Sequence, residues 1–372
     1  MKLNLVGPVT KRTGYGIHFT NLALALNNRV EVTVTARSQV DPELHSDPAI
    51  AELLRPEFDY NAPTICVWHA DTMQLFTGAK RIGFPVFETD RLTQREIYQL
   101  KNLDKVLVAS HWAKGVIEKG FAERPDSYPS VHVVGEGYDP TLFQPRAVTE
   151  NYMTLGWKRP YIQNVGKWEL RKGHPMLIKV LGQLANEGMK FTFVGFWGSI
   201  FQQDWRQQAD HLVTEAGFIQ TAPGRYEKND VMLILAERLE HHTDIANIMA
   251  MCDFGVYPHS AEGWCLPILE TMGCGRPVIA TNYSGPSEYL TPDVGMLIDP
   301  MGFKPIFDPV FFKNRSEGKW ATVNPEQLKH SIKLMIEMPD ENRKAIGVKA
   351  LKRATEFTWD ESAKRVIKAL EK

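Results

Sequence analysis

Short apolar runs alternate with longer stretches in which apolar residues recur every three or four positions, and the alternation continues along almost the whole chain. That rhythm marks strands buried on both faces and helices buried on one. Lys2 to Val6 reads as the first strand. Gly7 to Gly16 is a loop containing Thr13-Gly14-Tyr15-Gly16, and Phe19, Leu22, Ala23 and Leu26 mark the core face of a helix. Further strands are expected at Val30 to Thr35, Thr64 to Trp68, Arg81 to Phe87, Lys105 to Ala109 and Val131 to Val134, with Ser110 capping a helix. The polar stretch 144–158, with prolines nearby at 140 and 145, reads as a linker. Beyond it, strands are expected at Tyr161 to Val165, Phe191 to Val194, Asp230 to Ala236, Phe254 to Pro258 and Pro277 to Ala280. Helices are expected at about His174 to Glu187, Gln202 to Ala216, Ile245 to Met251 (capped by Thr243-Asp244 after a polar loop at 237–242) and Leu266 to about Cys274. From about Pro325 onward the pattern is helical. This order of elements predicts an α/β fold built from two Rossmann-like units.

Composition changes the picture little. At 372 residues the chain suits two domains of about 150–200 residues each. A net charge of -1 leaves no global field to hold nucleic acid or an anionic membrane. The four cysteines (66, 252, 265, 274) lack metal-ligand spacing and read as buried thiols of a reducing compartment. The chain enters a strand at once and has no long apolar run, so a soluble, cytoplasmic protein is expected. The stretch His111 to Phe121 carries only Lys114 and Lys119, which gives no support for membrane docking.

The candidate chemistry gathers between Asp253 and Leu290, where a strand, a polar loop, a helix and a second strand succeed one another. The loop carries Glu262, and Glu270 follows eight positions later inside the helix. The turn between them, Gly263, Trp264, Cys265 and Leu266, opens a helix whose first backbone N–H groups are unpaired and suit phosphate or sugar oxygens. Gly263 would let a ligand approach the backbone. Taken alone, such a pair is also what an ordinary crossover with two solvated glutamates looks like. His69 stands just past a strand end, where α/β ligands bind, although a structural histidine would look the same. The cluster Glu88-Thr89-Asp90-Arg91, also past a strand end, either lines a cleft or caps a helix with solvated charges. Lys167 and Lys172, within Gly166-Lys167-Trp168-Glu169-Leu170-Arg171-Lys172-Gly173, are either a pair of cations for a diphosphate or two surface lysines.

The register of Glu262, Pro267, Glu270, Gly273, Gly275, Pro277, Val278, Ile279, Ala280, Thr281, Gly285 and Glu288 resembles the E-x7-E signature of the family-4 retaining glycosyltransferases, which have a GT-B fold. The resemblance covers nearly the whole chain and is weaker in the first half. Glu136 stands where that family usually has Asn, and Lys167 where it has Arg. The resemblance implies two Rossmann-like domains facing an interdomain cleft: an acceptor domain over 1–148, a nucleotide-sugar domain over 149–350, and a helix over 351–372 that returns to the first domain. It implies that Glu262 contacts the transferred sugar and Glu270 the ribose of the donor. It implies that Lys167 and Lys172 clamp the diphosphate, with Arg171 able to compensate for the missing arginine, and that Gly14 and Gly16 touch the diphosphate and the acceptor. His69 would lie near the sugar.

The implied reaction is transfer of a sugar from a nucleotide-diphosphate donor, a UDP- or GDP-sugar, to an acceptor hydroxyl with retention. No Asp-x-Asp occurs in the chain, so neither a metal clamp nor a cofactor is expected. The acceptor stays open between a glycan, a small molecule and a modified nucleic-acid base. A phosphorylase or epimerase of the same fold and a non-catalytic nucleotide-sugar-binding module are the other readings. The run 301–322, with Phe303, Phe307, Phe311, Phe312 and Trp320, reads as an insertion. It packs over its own domain, makes a dimer contact or docks the acceptor.

Overall fold

A computed structural model describes residues 1–54, 56–123, 128–147, 156–236, 242–313, 315 and 317–372. The expected domain boundary at 148 and 149, the centre of the expected linker and most of the loop 237–242 lie outside the described residues.

The first half alternates β1 (Lys2–Gly7), α1 (Gly14–Asn27), β2 (Glu31–Ala36), α2 (Pro42–His45), α3 (Pro48–Leu54), β3 (Thr64–Trp68), β4 (Arg81–Pro85), α4 (Gln94–Lys101), β5 (Lys105–Val108), α5 (His111–Ala122) and β6 (Ser130–Val133). The strands form one parallel sheet in the order β2-β1-β3-β4-β5-β6. Its strands read as continuous apolar runs because helices cover both faces. α1 begins earlier than expected. The Thr13 hydroxyl accepts the Gly16 N–H at 3.2 Å, which satisfies a donor of the first turn and places Gly14 and Gly16 inside the helix instead of in a loop.

The second half runs β7 (Tyr161–Lys167), α6 (His174–Asn186), β8 (Phe191–Gly198), α7 (Trp205–Glu215), β9 (Ile219–Ala222), β10 (Arg225–Lys228), β11 (Val231–Ala236), α8 (His242–Met251), β12 (Phe254–Tyr257), α9 (Leu266–Gly273), β13 (Val278–Thr281) and β14 (Gly295–Ile298). Its sheet order is β14-β13-β12-β7-β8-β11-β10-β9, parallel from β14 to β11. The antiparallel edge hairpin β9–β10 is absent from the sequence reading because β9 is exposed throughout and carries no buried pattern. α8 starts at His242, ahead of the expected Thr243-Asp244 cap, and α7 at Trp205, three residues later than expected.

A two-stranded arm follows, β15 (Gly302–Pro305) and β16 (Lys319–Thr322), and then α10 (Pro325–Glu337), α11 (Asp340–Ala354) and α12 (Trp359–Leu370). α12 lies against α1. Its Ser362 hydroxyl donates to the Gly135 carbonyl at 2.8 Å, and the Tyr138 N–H donates to the Phe357 carbonyl at 3.1 Å. A Cβ on Gly137 would stand 2.2 Å from the Trp359 nitrogen, so only glycine allows this approach. One apolar core runs from Leu3 and Phe19 through Tyr138, Trp264 and Met272 to Ala363 and Val366, joining the first sheet to α9 and α12. Among the described residues no helix is long and apolar enough to cross a membrane.

The arm does not fold back on the second half alone. Its Ala321 N–H donates to the Ser260 carbonyl at 3.0 Å, beside Glu262. The buried Trp320 donates its indole N–H to the Glu88 carbonyl at 2.7 Å, and the Lys319 N–H donates to Asp90 at 2.5 Å. Arg315 reaches Glu96 at 2.9 Å and also donates to the Thr89 hydroxyl at 2.9 Å and the Arg91 carbonyl at 2.6 Å. The segment 88–91 is therefore the landing of the arm on the first half. It is not the cap of α4; Thr93 is, closing a capping box with Glu96.

Candidate active site

Parallel strands end where their helices begin, so the C-terminal ends of β7 and β12 deliver the turn 168–173 and the loop 258–265 to the same place. The ends of β3 and β4 bring His69 and Glu88 toward them. At the centre is Glu262, buried in the loop before α9. Its carboxylate meets Lys172 at 2.6 Å and Arg171 at 2.8 Å. Arg171 also holds Glu169 at 2.7 Å and reaches across to Glu88 at 3.2 Å. Lys167 pairs with Glu169, and its ammonium lies over the rings of Phe311 at 4.3 Å and Phe201 at 4.9 Å. Lys167, Arg171 and Lys172 thus face Glu88, Glu169 and Glu262, three charges against three.

The electrostatics follow from this pairing. Burial by itself would raise the Glu262 carboxyl; Arg171 and Lys172 outweigh it and hold the group down to about 2. Burial would lower Lys172, and Glu262 reverses that and raises it. Glu270, buried one turn into α9, has no cation within ion-pair distance among the described residues, and burial pushes it up to about 8.

The proposed roles divide on inspection. Lys172 and Glu262 touch each other. Arg171, which the sequence suggests as a reserve cation, is the buried hub of the cluster. His69 is exposed at the rim, its ring 4.6 Å from that of Tyr15. Gly14 is exposed, and a Cβ there would meet nothing within 4 Å, so it borders open space. A Cβ on Gly16 would stand 2.1 Å from the Thr10 carbonyl, so that glycine serves local packing. The room expected beside Gly263 is taken by the first half: a Cβ there would lie 2.4 Å from Val86 and 3.1 Å from the Phe87 carbonyl. Trp264 is buried against Tyr289 and Phe357, and the Tyr289 hydroxyl donates to the Trp264 and Cys265 carbonyls at 2.7 and 3.0 Å. Cys265 and Leu266 are buried too, with Cys265 in the left-handed region at φ 69°. Their side chains belong to the core, so only the backbone of this turn is left to meet a ligand.

Two residues escaped the sequence reading. Glu169 carries charge balance for both Lys167 and Arg171. His174 stacks on Trp168 with 5.2 Å between ring centres, and burial depresses it to about 3, so it is neutral. Both its ring nitrogens are buried without a hydrogen-bond partner among the described residues. A Cβ on Gly166 would lie 3.6 Å from its Nε2 and 3.7 Å from the Lys172 side chain, so the missing side chain leaves a niche between them. The signal was present, a His at the start of a helix after a Gly, but nothing in the pattern showed that it would turn inward.

Comparison with known proteins bears on the same elements. A sucrose-phosphate synthase from Thermosynechococcus elongatus superposes on the whole chain and on 98% of its own, with a TM-score of 0.69 and 15% identity. Anabaena Alr3699/HepE, solved in complex with UDP-glucose, matches all of this chain and 99% of its own, at TM-score 0.70 and 16% identity. The fold is GT-B. Within this GT-B chain, residues 155–302 match the family Glycosyl transferases group 1, and that segment holds Lys167, Lys172, Glu262 and Glu270. A GDP-mannose-dependent alpha-(1-6)-phosphatidylinositol dimannoside mannosyltransferase of Mycobacterium tuberculosis is 25% identical over 126 residues, which is 34% of this chain. The match spans 26% of that relative's length, so this chain covers about a quarter of the first curated relatives it resembles.

Proposed function

We propose that the protein is a retaining glycosyltransferase that moves a sugar from a UDP- or GDP-sugar to an acceptor hydroxyl without a bound metal. The observation that carries this reading is the buried, charge-balanced cluster in which Lys172 and Arg171 hold Glu262 ionised beside the first turn of α9. The GT-B fold and the family match over 155–302 support it, as do the GDP-mannose dependence in the name of one relative and the UDP-glucose complex of one structural neighbour.

An incoming diphosphate adds negative charge to a site that is neutral when empty. Lys172, and Lys167 at the end of β7, would turn from their carboxylates to the phosphates and stabilise the charge that grows on the leaving oxygen. Glu262 then contacts the sugar, with His69 at the rim, and Glu270 accepts hydrogen bonds from the ribose hydroxyls. The bond from the anomeric carbon to the donor phosphate breaks, and the acceptor oxygen bonds to that carbon on the same face. The acceptor proton passes to the leaving phosphate oxygen. Closure of the two halves excludes water and limits hydrolysis.

The test is a thermal-shift panel of UDP-, GDP-, ADP- and CDP-sugars, each with Mg2+ and with a chelator, followed by turnover. One donor should stabilise the protein equally in both conditions. Lys172→Ala should then lower kcat by about 10²–10³-fold, the usual loss for one preorganised charge stabiliser, with circular dichroism unchanged. Unaltered turnover in that variant overturns the clamp, and a product of inverted anomeric configuration overturns retention.

A further inference from the structure

Away from the Glu262 cluster, the open edge of the first sheet carries a cavity of about 510 Å³. β6 is the edge strand, with α5 on one side and α12 on the other. The Val134 N–H donates to the Val108 carbonyl at 2.9 Å. Backbone direction alternates along a strand, so Val131 and Val133 turn their N–H and C=O groups away from β5, into the cavity. The walls are cationic: Lys114 from α5, Arg365 and Lys368 from α12, and Lys372 just beyond it, with His132 of β6 between them. The acid of the lining, Glu288, is already committed, accepting the His111 N–H at 2.8 Å and contacting its ring at 2.9 Å. Among the described residues no carboxylate lies within ion-pair distance of Arg365, Lys368 or Lys372. Burial and then the fields of Lys105, Lys114 and Lys372 depress His132; of the lining cations among these, Lys114 pairs with Glu118 at 3.6 Å and Lys372 keeps its charge unpaired among the described residues.

Unbalanced positive charge around backbone donors, in a hollow of small-ligand size, is the chemistry of an anion site. The accessible edge is short. Above Val133, the Gly135 carbonyl is taken by Ser362, and a Cβ on Gly135 would stand 3.1 Å from Arg365 and 3.6 Å from Trp264. Two outward residues are too few to pair a further strand, which favours a compact ligand. The geometry points to a second binding site here, for a small ligand bearing two or more phosphate charges. Its lining draws β6 and α5 from the first half, Glu288 and Arg353 from the second, and the returning α12. A bound ligand therefore bridges the joint between the halves.

The probe is inorganic tripolyphosphate, followed by calorimetry on the full chain carrying Lys172→Ala, which removes one cation from the proposed donor cleft. One equivalent should bind. Adding Lys368→Glu and Lys372→Glu should weaken binding at least tenfold. Adding Lys344→Glu and Lys349→Glu on α11 instead, an equal change in charge, should leave it within threefold. Equal losses in both would mean that overall charge, and not the cavity, is responsible, and would overturn the proposal. Absence of binding at millimolar concentration, or binding untouched by the α12 changes, would overturn it as well. Failure here leaves the donor panel unaffected, because the α12 variants alone keep Lys172 and Glu262. Sedimentation with cardiolipin vesicles, whose headgroup carries two phosphates, lost in the variant with Lys368→Glu and Lys372→Glu, assigns the phosphate to a lipid headgroup; tripolyphosphate binding without sedimentation assigns it to a soluble ligand.

Discussion

Glu262, in the loop after β12, and Glu270, one turn into α9, are both buried, 4% and 7% exposed, and sit eight residues apart. Burial pushes both carboxyls the same way. Two cations from the turn after β7 reverse the push at Glu262, and none among the described residues reverses it at Glu270. At neutral pH the folded chain therefore holds one glutamate as an anion and the other as a neutral acid. The difference does not lie in α9 itself. It lies in which segment the β7 turn meets: Arg171 and Lys172 reach the loop that carries Glu262, and no described cation reaches Glu270. A buried acid without a cation is one that a hydroxyl-bearing ligand can still occupy.

Removing the hub tests that comparison hardest. Arg171→Ala strips Glu262 of one cation, leaves Glu169 with Lys167 alone and removes the ion pair of Glu88. Unpairing a buried ion in this way costs about 3–5 kcal/mol, and urea denaturation should show a loss of that size. Replacing Glu270 by Gln should cost far less at neutral pH. If the two variants unfold alike, the cation network is not what separates the two acids.

The arm sets the next scale. Arg315 holds Glu96, Thr89 and Arg91 of the first half, and the arm's Trp320 grips the Glu88 carbonyl whose own side chain meets Arg171. Arg315→Ala should cost about 1.5–3 kcal/mol, the range for hydrogen bonds to a charged group. Amide exchange should accelerate first in 88–96 and the arm. Acceleration spread evenly over the first sheet would mean that the arm is not a local strap.

How far these features could be read from sequence differs between the same two regions. The β12–α9–β13 unit announced itself, since its strands are apolar on both faces and Gly and Pro punctuate its turns at fixed offsets. The alternation of strands and helices likewise marked the strands of both sheets except β14 and the exposed edge hairpin β9–β10. What the chain order hides is contact between distant segments. Nothing local shows that Arg171 would bury its guanidinium among Glu88, Glu169 and Glu262, or that Gly263 would abut Val86 when a ligand was expected there. Trp264 is adjacent to the acid yet turns into the core with Tyr289. The run 301–322 was visible as unusual, but its aromatic residues gave no direction; the polar contacts of Arg315, Lys319 and Trp320 show where it lands.

The smallest effect is the most specific to the comparison. Glu270 keeps its proton in the folded chain up to about 8, whereas its ordinary value is 4.5. The stability it contributes is complete below about 4.5 and is lost as pH rises through about 8, because the unfolded chain gives up the proton first. The amide of the Glu270→Gln variant carries no such proton. The gap between that variant and the unaltered protein should therefore move in the variant's favour from about pH 5 to pH 8, by at most about 1.4 kcal/mol per pH unit, and then level off. Glu262, held at about 2, works the other way: its contribution is present above 4.5 and fades as pH falls toward 2, so Glu262→Gln should show no trend over the same alkaline range. Glu136, also pushed up to about 8 beside His18, supplies a third curve that should follow Glu270. Denaturation midpoints for the three variants between pH 5 and 9 decide the matter. Parallel curves for Glu262→Gln and Glu270→Gln would show that both acids carry the same charge in the folded state.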